Sequence, residues 1–285
     1  KHPKGLIAAA LANLGERFGF YTMMAILVLF LQAKFGMNGK EAGFIYSTFY
    51  FSIYILALVG GIIADKTRNY KGTIFTGIVL MAVGYLLLAI PSKTPVDNKM
   101  LYLVITCASL FVIAFGNGLF KGNLQALVGQ MYDNPQYANM RDSGFSLFYM
   151  FINIGAIFAP FAAVGVRNWW LSTFGYNYDA DLPALCHGQL AGTLSPEATE
   201  TYHTLVTKAS TAPVQDYTAF ASDYLNVFTT GFHYAFGVAI IAMAISLTIY
   251  WLNKKNFPDP SKKTVASSAS STVVEMSAQE VKQRM

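Results

Sequence analysis

Charged residues are scarce in this chain. Asp, Glu, Lys and Arg make up 12% of its 285 residues, whereas hydrophobic residues make up 54%. Because soluble domains carry about 25% charged residues, this composition excludes an ordinary soluble domain and indicates an integral membrane protein. The formal net charge is +5, but the basic residues are scattered and form no stripe of the kind that binds nucleic acid. We therefore expect no nucleic acid among the partners.

Cysteine is nearly absent, with two residues in the whole sequence. Cys107 falls inside a long apolar run and Cys186 in a polar segment, so the two thiols are expected at different depths and no disulfide is predicted. No spacing typical of a metal site occurs. The sequence therefore predicts no metal, no cofactor, no catalytic residues and no enzymatic activity.

Long apolar runs are what the chain has instead. A run of about 20 apolar residues is long enough to cross a bilayer. Six such runs are found, at 6–32, 42–64, 73–91, 100–127, 143–166 and 226–252. Lys and Arg in the short loops favour the side that holds both ends of the chain, which predicts that both ends are cytoplasmic. We expect an all-α, six-helix protein of the cytoplasmic (inner) membrane, in contact with the lipid bilayer.

Two segments divide the chain into parts. The polar stretch 167–225 predicts an extracytoplasmic insertion, in which Ser195 and Pro196 are typical of a helix start. The Ser- and Lys-rich stretch 258–285 predicts a cytoplasmic linker that follows a bundle over 1–257. Six spans and a linker are typical of the amino-terminal half of a major facilitator transporter, so a missing carboxy-terminal six-helix bundle is an expected partner.

Ionisable side chains inside the predicted spans give the strongest functional signal. Glu16 and Arg17 lie in the middle of the first span, and Lys121 lies in the fourth among small residues. A charge at membrane depth is costly unless it is paired or faces water, so these residues predict a substrate or ion site. Two cations against one carboxylate suit an anionic group. Ionised Glu16 is expected to pair near Arg17 or with Lys121, and its protonation to release a cation.

Uncharged polar residues in the spans allow two interpretations. Tyr46, Tyr50 and Tyr54 recur every four residues on one helical face, which favours a lined pathway over packing. Asn153 is the main polar group of the fifth span and is either interhelical glue, worth about 1 kcal/mol, or part of a site. His233, near the end of the sixth span, predicts an interfacial anchor more than a proton carrier.

The loop after the second span has the form Gly-x-x-x-Asp-Lys, carried by Gly61, Asp65 and Lys66. Gly61 is expected to permit close helix approach. Asp65 is expected to accept hydrogen bonds from basic residues or from a helix N-terminus, which would latch the cytoplasmic face. The alternative is a small-residue turn with ordinary positive loop charge.

Taken together, these residues resemble the proton-dependent oligopeptide transporter (POT, PTR2-type) family of the major facilitator superfamily. Segment 16–21, Glu-Arg-Phe-Gly-Phe-Tyr, is similar to that family's first-helix motif Glu-x-x-Glu-Arg-Phe-x-Tyr-Tyr. Segment 148–155 is similar to its fifth-helix signature, and Lys121 with Asn123 to its fourth-helix element. The resemblance covers residues 1 to about 257 and implies proton-driven symport of di- and tripeptides by alternating access between two bundles.

The resemblance also implies roles for single residues. The implied peptide-binding residues are Arg17, Tyr21, Tyr54, Lys121 and Asn153. Arg17 and Lys121 would receive the peptide carboxylate, and Glu16 would be the titrating group linked to protons. Hydroxyl and amide contacts to the peptide backbone would allow many side chains.

The chain departs from the family pattern at Asn13, Phe20, Gly122 and Met24, and the first of these bears on proton coupling. Asn13 stands where the family has its first glutamate, so it cannot carry a proton, and Glu16 alone would carry the coupling. One helical turn separates Asn13 from Arg17, so Asn13 is expected to orient the guanidinium. Two other functions stay open, a major facilitator carrier of a drug, nitrate or another anion, and a non-transporting membrane assembly subunit.

Overall fold

The computed structural model describes residues 1–258, which fold into α-helices without a β-sheet. The helices are α1 (Gly5–Phe35), α2 (Gly39–Thr67), α3 (Tyr70–Ala89), α4 (Lys99–Met131), α5 (Pro135–Ala138), α6 (Arg141–Thr173), α7 (Leu182–Ala191), α8 (Pro196–Ala209) and α9 (Tyr217–Leu252), followed by a 3-10 turn over Lys254–Asn256. The predicted linker 258–285 lies outside the described residues except for its first residue.

Six of these helices, α1, α2, α3, α4, α6 and α9, are long and apolar enough to cross a membrane. The predicted number of spans and the all-α fold are therefore confirmed. The helices run further than the predicted spans, since α6 continues to Thr173 and α9 already begins at Tyr217. Arg167 suggested a loop because it is charged, but its guanidinium stacks 3.5 Å from the ring centroid of Tyr178, which keeps the charge on a helix.

The packing of the six spans repeats in two groups of three. In the first group α1 packs against α6 and α9, and in the second group α4 packs against α2 and α3. The two groups also meet where α3 packs against α9. The first and fourth spans thus make equivalent contacts, each with the last two spans of the other set of three. This agrees with the three-plus-three repeat expected of such a half. In the sequence, that repeat could be argued only from the number and order of the spans.

Small residues bring α2 and α4 into close contact. A Cβ atom on Gly60 would lie 2.2 Å from the carbonyl oxygen of Gly118, and one on Gly118 would lie 2.4 Å from that of Leu56. Nothing lies within 4 Å of the corresponding position on Gly61. Within residues 1–258 the close approach is therefore made by the preceding residue, Gly60, and not by Gly61, because successive residues of a helix are rotated by about 100°.

The spans differ in how much of their surface the bundle covers. The most apolar stretches of α2 and α6 are each 22% buried, against 61% for α1 and 56% for α4. Exposed apolar residues on α2 and α6 include Phe51, Leu58 and Phe161. A surface of this kind is stable only against lipid or another apolar partner, which agrees with a bundle that packs against a second bundle.

Between α6 and α9 the insertion forms the two short helices α7 and α8. Ser195 is the N-cap of α8 and accepts a hydrogen bond from the backbone N–H of Ala198 at 3.2 Å, as its position before Pro196 predicts. The insertion docks on α1 through His187, whose Nε2 lies 2.8 Å from the carbonyl oxygen of Ala33. Cys186 lies in α7, and neither it nor Cys107 forms a disulfide.

Candidate functional site

Glu16 and Arg17 form a buried ion pair in the middle of α1. Glu16 has none of its surface exposed and Arg17 has 5%. The guanidinium donates twice, from Nε to Glu16 Oε2 and from Nη2 to Glu16 Oε1, both at 2.5 Å. This fork geometry is the strongest hydrogen-bonded arrangement of a carboxylate and an arginine. The pair is neutral as a unit, which lets two adjacent charges remain inside an apolar bundle.

Asn117 of α4 completes the environment of the carboxylate. Its Nδ2 donates to Glu16 Oε1 at 2.7 Å, and the residue is fully buried. Sequence analysis did not single out Asn117, although a signal was present. It lies one helical turn before Lys121, so a functional face of α4 that includes Lys121 also includes Asn117.

Close contacts between backbones place the ion pair. Gly15 faces α9, where an added Cβ would lie 3.1 Å from the Ala242 carbonyl oxygen. Gly155 of α6 faces α1, where a Cβ would lie 2.9 Å from the Leu14 carbonyl oxygen and 3.6 Å from Cβ of Arg17. The small residues of both helices therefore hold α1 on two sides, and this leaves little freedom for the charged pair.

Aromatic rings surround the outer side of the guanidinium. The Cζ atom of Arg17 lies 4.6 Å from the ring centroid of Phe20 and 5.9 Å from that of Tyr21. Both distances are within the range of cation–π attraction. Phe20 is buried and Tyr21 is partly exposed, so Tyr21 connects the buried pair to the open surface of α1.

Lys121 lies apart from Glu16. Its Nζ is 5.7 Å from the ring centroid of Tyr54, and the residue is half-buried. Among residues 1–258, no carboxylate lies within ion-pair distance of Lys121. Of the two partners considered for ionised Glu16, the structure selects Arg17. Lys121 is therefore a cation at membrane depth that an aromatic ring contacts and no acid neutralises.

The tyrosines of α2 form a continuous row beside Lys121. Tyr46 and Tyr50 stack with ring centroids 6.4 Å apart, and Tyr54 donates from its hydroxyl to that of Tyr50 at 3.1 Å. Tyr50 and Tyr54 are 43% and 55% exposed. Hydroxyl groups on the open face of a helix are not core packing, so the row keeps the interpretation of a lined surface.

Two of the predicted amide residues lie in contrasting surroundings. Asn153 is exposed on α6, and its side chain makes no hydrogen bond to another described residue, so it does not join helices within this bundle. Asn13 is 4% exposed, and no hydrogen bond within the described chain joins it to Arg17. Glu16 occupies Nε and one N–H of Nη2 of the guanidinium, and the orienting role of Asn13 stays a prediction.

Asn123 provides the interhelical contact that was considered for Asn153. It is 2% exposed, and its Nδ2 donates to the carbonyl oxygens of Gly60 at 3.0 Å and Leu119 at 2.8 Å. It therefore ties α4 to α2 and does not line the open surface. In the loop between α2 and α3, the exposed Asp65 accepts a hydrogen bond from the Tyr70 hydroxyl, a partner the sequence did not predict.

Comparison with known proteins identifies the family. A profile of the POT family, named PTR2, matches residues 71–284, well over half of the sequence. The chain belongs to the POT family. The resemblance to this family found in the sequence is therefore confirmed.

Named relatives of this POT chain are peptide carriers. A Yersinia enterocolitica protein named peptide transporter YePEPT is 34% identical over 182 residues, covering 62% of this chain and 33% of that protein. Dipeptide and tripeptide permease A of an Enterobacter species is 34% identical over 179 residues, covering 62% and 32%. This chain therefore spans about a third of the length of the curated relatives it matches.

A solved structure supports the same fold. The crystal structure of a peptide transporter named POT in complex with sulfate has 26% sequence identity and a TM-score of 0.59. The match covers 94% of this POT chain and 43% of the other. The six-helix bundle described here therefore corresponds to a little under half of a solved peptide transporter.

Proposed function

We propose that this chain is one half of a proton-coupled symporter of di- and tripeptides that works by alternating access. Its partners are the lipid bilayer, protons, peptides and a second six-helix bundle, and it is not an enzyme. It lies in the cytoplasmic membrane with both ends on the cytoplasmic side. Relatives named peptide transporter and permease support the substrate class, and the geometry of the buried charges supports the coupling.

The observation that carries this proposal is the unequal state of the two cations. Arg17 is neutralised by Glu16, whereas Lys121 is half-buried and has no carboxylate partner among residues 1–258. An anionic group that enters the membrane region is attracted to the unneutralised charge, because the interaction is strong in a low dielectric. The peptide carboxylate therefore binds first at Lys121, beside the hydroxyl of Tyr54.

Protonation of Glu16 makes the second cation available. The protonated carboxyl group is neutral and no longer balances the guanidinium, so Arg17 gains by pairing with the peptide carboxylate. Conversely, a carboxylate bound at Arg17 favours the protonated form of Glu16. Proton and peptide thus stabilise each other's binding, which is the reciprocity that symport requires.

Uncharged polar groups on the open surface form hydrogen bonds with the peptide backbone. Tyr21, Tyr54 and Asn153 carry hydroxyl and amide groups that donate and accept hydrogen bonds. Backbone amides are common to all peptides, so these contacts accept many side chains. The peptide's amino group needs an acidic partner, which we place in the second bundle.

Substitution of Glu16 by Gln in the full-length protein tests the coupling. In proteoliposomes we expect Glu16→Gln to exchange labelled dipeptide across the membrane without a gradient, but to lose uphill accumulation and its dependence on pH. Glu41→Gln makes the same change in an exposed carboxylate at the start of α2 and serves as the matched control. Uphill accumulation by Glu16→Gln with an unchanged pH profile would refute the proposal.

An anion carrier is the second candidate, because Lys121 has no carboxylate partner and is open to any anion of fitting size. The two candidates differ in what competes for the site. In counterflow experiments we expect unlabelled dipeptide to displace labelled dipeptide, while nitrate and uncharged drugs do not. Displacement by nitrate at a similar concentration would favour the anion carrier.

A further inference from the structure

The amide of Asn117 is hydrogen-bonded at one end only. Its Nδ2 donates to Glu16 Oε1 at 2.7 Å, while its Oδ1 is buried and has no hydrogen-bond partner. A buried carbonyl oxygen without a donor is unfavourable and uncommon in proteins. Such an atom beside a titratable carboxylate calls for a functional explanation.

A second unpartnered group lies in the same region of the bundle. The Tyr85 hydroxyl of α3 is buried and has no hydrogen-bond partner, and Tyr85 is within electrostatic range of both Glu16 and Arg17. Close contact between Gly77 and Gly116 brings α3 against α4 next to this point, since an added Cβ would meet the opposite carbonyl oxygen at 2.7 Å. A hydroxyl can donate or accept, so it accommodates either end of an amide.

The two protonation states of Glu16 need opposite partners. An ionised carboxylate only accepts hydrogen bonds, whereas a protonated carboxyl group also donates one. Arg17 can only donate, so it cannot accept the hydrogen bond that the protonated carboxyl group donates. An amide carries a donor and an acceptor that exchange places when it rotates by about 180°. Among the described residues, Arg17 and Asn117 are the side chains that hydrogen-bond to Glu16, and of these Asn117 alone can both donate to the ionised state and accept from the protonated one.

We propose that Asn117 is a positioning residue that turns its amide over when Glu16 takes up a proton. The inference rests on the proposed proton coupling and deepens it. A hydronium ion of the solvent gives up a proton and leaves as water, the proton forms the O–H bond at Glu16 Oε1, and this O–H then donates to Oδ1 of Asn117. Nδ2 moves to the side where Oδ1 had been. Arg17 Nη2 loses its acceptor and becomes free for the peptide carboxylate.

Other groups around Glu16 do not compete for this role. Besides Arg17, the ionisable side chains in electrostatic range of the pair are Tyr21 and Tyr85, and Lys121 makes no ion pair with it. On α9 the neighbouring polar group is Ser246, whose hydroxyl donates to the Ala12 carbonyl oxygen at 2.6 Å. The hydrogen bond between Asn117 of α4 and Glu16 is therefore the one in which donor and acceptor can exchange roles.

The first test measures the pH profile of dipeptide uptake by the full-length protein with Asn117→Leu. The ionised carboxylate loses a charge-assisted hydrogen bond, which is about twice as strong as the neutral one lost by the acid. We therefore expect the midpoint of the profile to move to higher pH by about one unit, a tenfold change in proton concentration. Asn117→Thr has a similar volume and a hydroxyl that donates or accepts, so it should restore the midpoint.

Asn123→Leu removes a buried amide from the same helix without touching Glu16, and should leave the midpoint unchanged. If Asn117→Leu fails to reach the membrane, Asn117→Ala removes the same amide without added bulk and takes its place. A profile that does not move in a folded variant lacking this amide contradicts the inference.

Infrared spectroscopy separates this inference from the proposed function. The carbonyl band of protonated Glu16, assigned by its loss in Glu16→Gln, should lie at the frequency of an acid that donates a hydrogen bond, and should move to higher frequency in Asn117→Leu. This readout needs no transport, so it stands even if coupling resides elsewhere. An identical band in both proteins would overturn the role of Asn117.

Discussion

Arg17 and Lys34 are two cations of the same helix, and both are almost completely buried, with 5% and 2% of their surfaces exposed. Arg17 is neutralised by the carboxylate of Glu16. Lys34 instead donates to the carbonyl oxygen of Ser92 at 2.6 Å and to the Thr94 hydroxyl at 2.8 Å. A carboxylate can be cancelled by a proton, whereas these neutral acceptors stay the same at every physiological pH. A change of pH can therefore remove the counter-charge of Arg17, whereas the hydrogen-bond acceptors of Lys34 stay in place.

The surroundings of Lys34 show which elements of the fold it connects. Its Nζ also contacts the carbonyl oxygen of Lys93 at 3.1 Å. Thr94 in turn shares a hydrogen bond with the Thr229 hydroxyl at 2.7 Å, and its backbone N–H donates to Asn226 at 3.1 Å. The end of α1 is thereby tied to the loop between α3 and α4 and to α9. Uncharged hydrogen-bonding groups and the ammonium group of Lys34 therefore connect three elements of the fold at this point.

The largest effect on stability is expected at the pair of Glu16 and Arg17. Glu16→Leu leaves the guanidinium of Arg17 buried without a counter-ion, which should lower the free energy of unfolding of the full-length protein by about 3–5 kcal/mol. The double variant Glu16→Leu with Arg17→Met replaces the pair by apolar groups and should recover most of the loss. Thermal unfolding in detergent measures both. A double variant no more stable than Glu16→Leu would mean that the pair is not the source of the loss.

A smaller effect is expected at Lys34. Lys34→Met removes the charge together with its hydrogen bonds, leaving neutral acceptors unpaired, which should cost about 1–3 kcal/mol in the free energy of unfolding. The pH profile of uptake should not change, because Lys34 bonds to Ser92, Lys93 and Thr94 and makes no contact with the pair of Glu16 and Arg17 among the described residues. Lys40→Met, at an exposed position of α2, is the control and should cost less than about 0.5 kcal/mol. A shifted pH profile in Lys34→Met would erase the distinction between the two cations.

The smallest effect is expected where the insertion meets α1. Burial lowers the pKa of His187, and the hydrogen bond to Ala33 only partly opposes this. Because the pKa is lower in the folded state, the stabilisation is complete above the unfolded value of about 6.5 and is lost as the pH falls through the folded value. Deuterium exchange in α7 should therefore increase on acidification. His187→Asn should remove this pH dependence, and exchange that stays equally slow at acidic pH would contradict the assignment.

The sequence analysis identified Arg17 as a functional cation but did not single out Lys34. Glu16 and Arg17 stand out because charges in the middle of an apolar run have few explanations. Lys34 lies near the end of its run, where lysines usually extend to the interface, so nothing local predicts its burial. That burial depends on a loop some sixty residues away in the chain, and only the folded structure shows the contact.

The same limit applies to residues whose role depends on which helical face meets a neighbour. Gly60 and Gly61 are equivalent in the sequence, but only the first faces α4. His233 was predicted as an interfacial anchor, and it lies buried with Nδ1 2.6 Å from the carbonyl oxygen of Leu88. The number and type of elements follow from composition and periodicity, whereas the choice of face follows from tertiary packing.

Glu16 and Arg17 are consecutive residues of one helix, and this has a consequence for the transport cycle. When a bundle rocks as a rigid body, distances between its helices and the opposite bundle change, but the separation of neighbours on one helix does not. The pair therefore keeps its geometry whichever side of the membrane the cavity faces. Under the proposed coupling, the pair responds to the proton concentration on the open side and not to the tilt of the bundle.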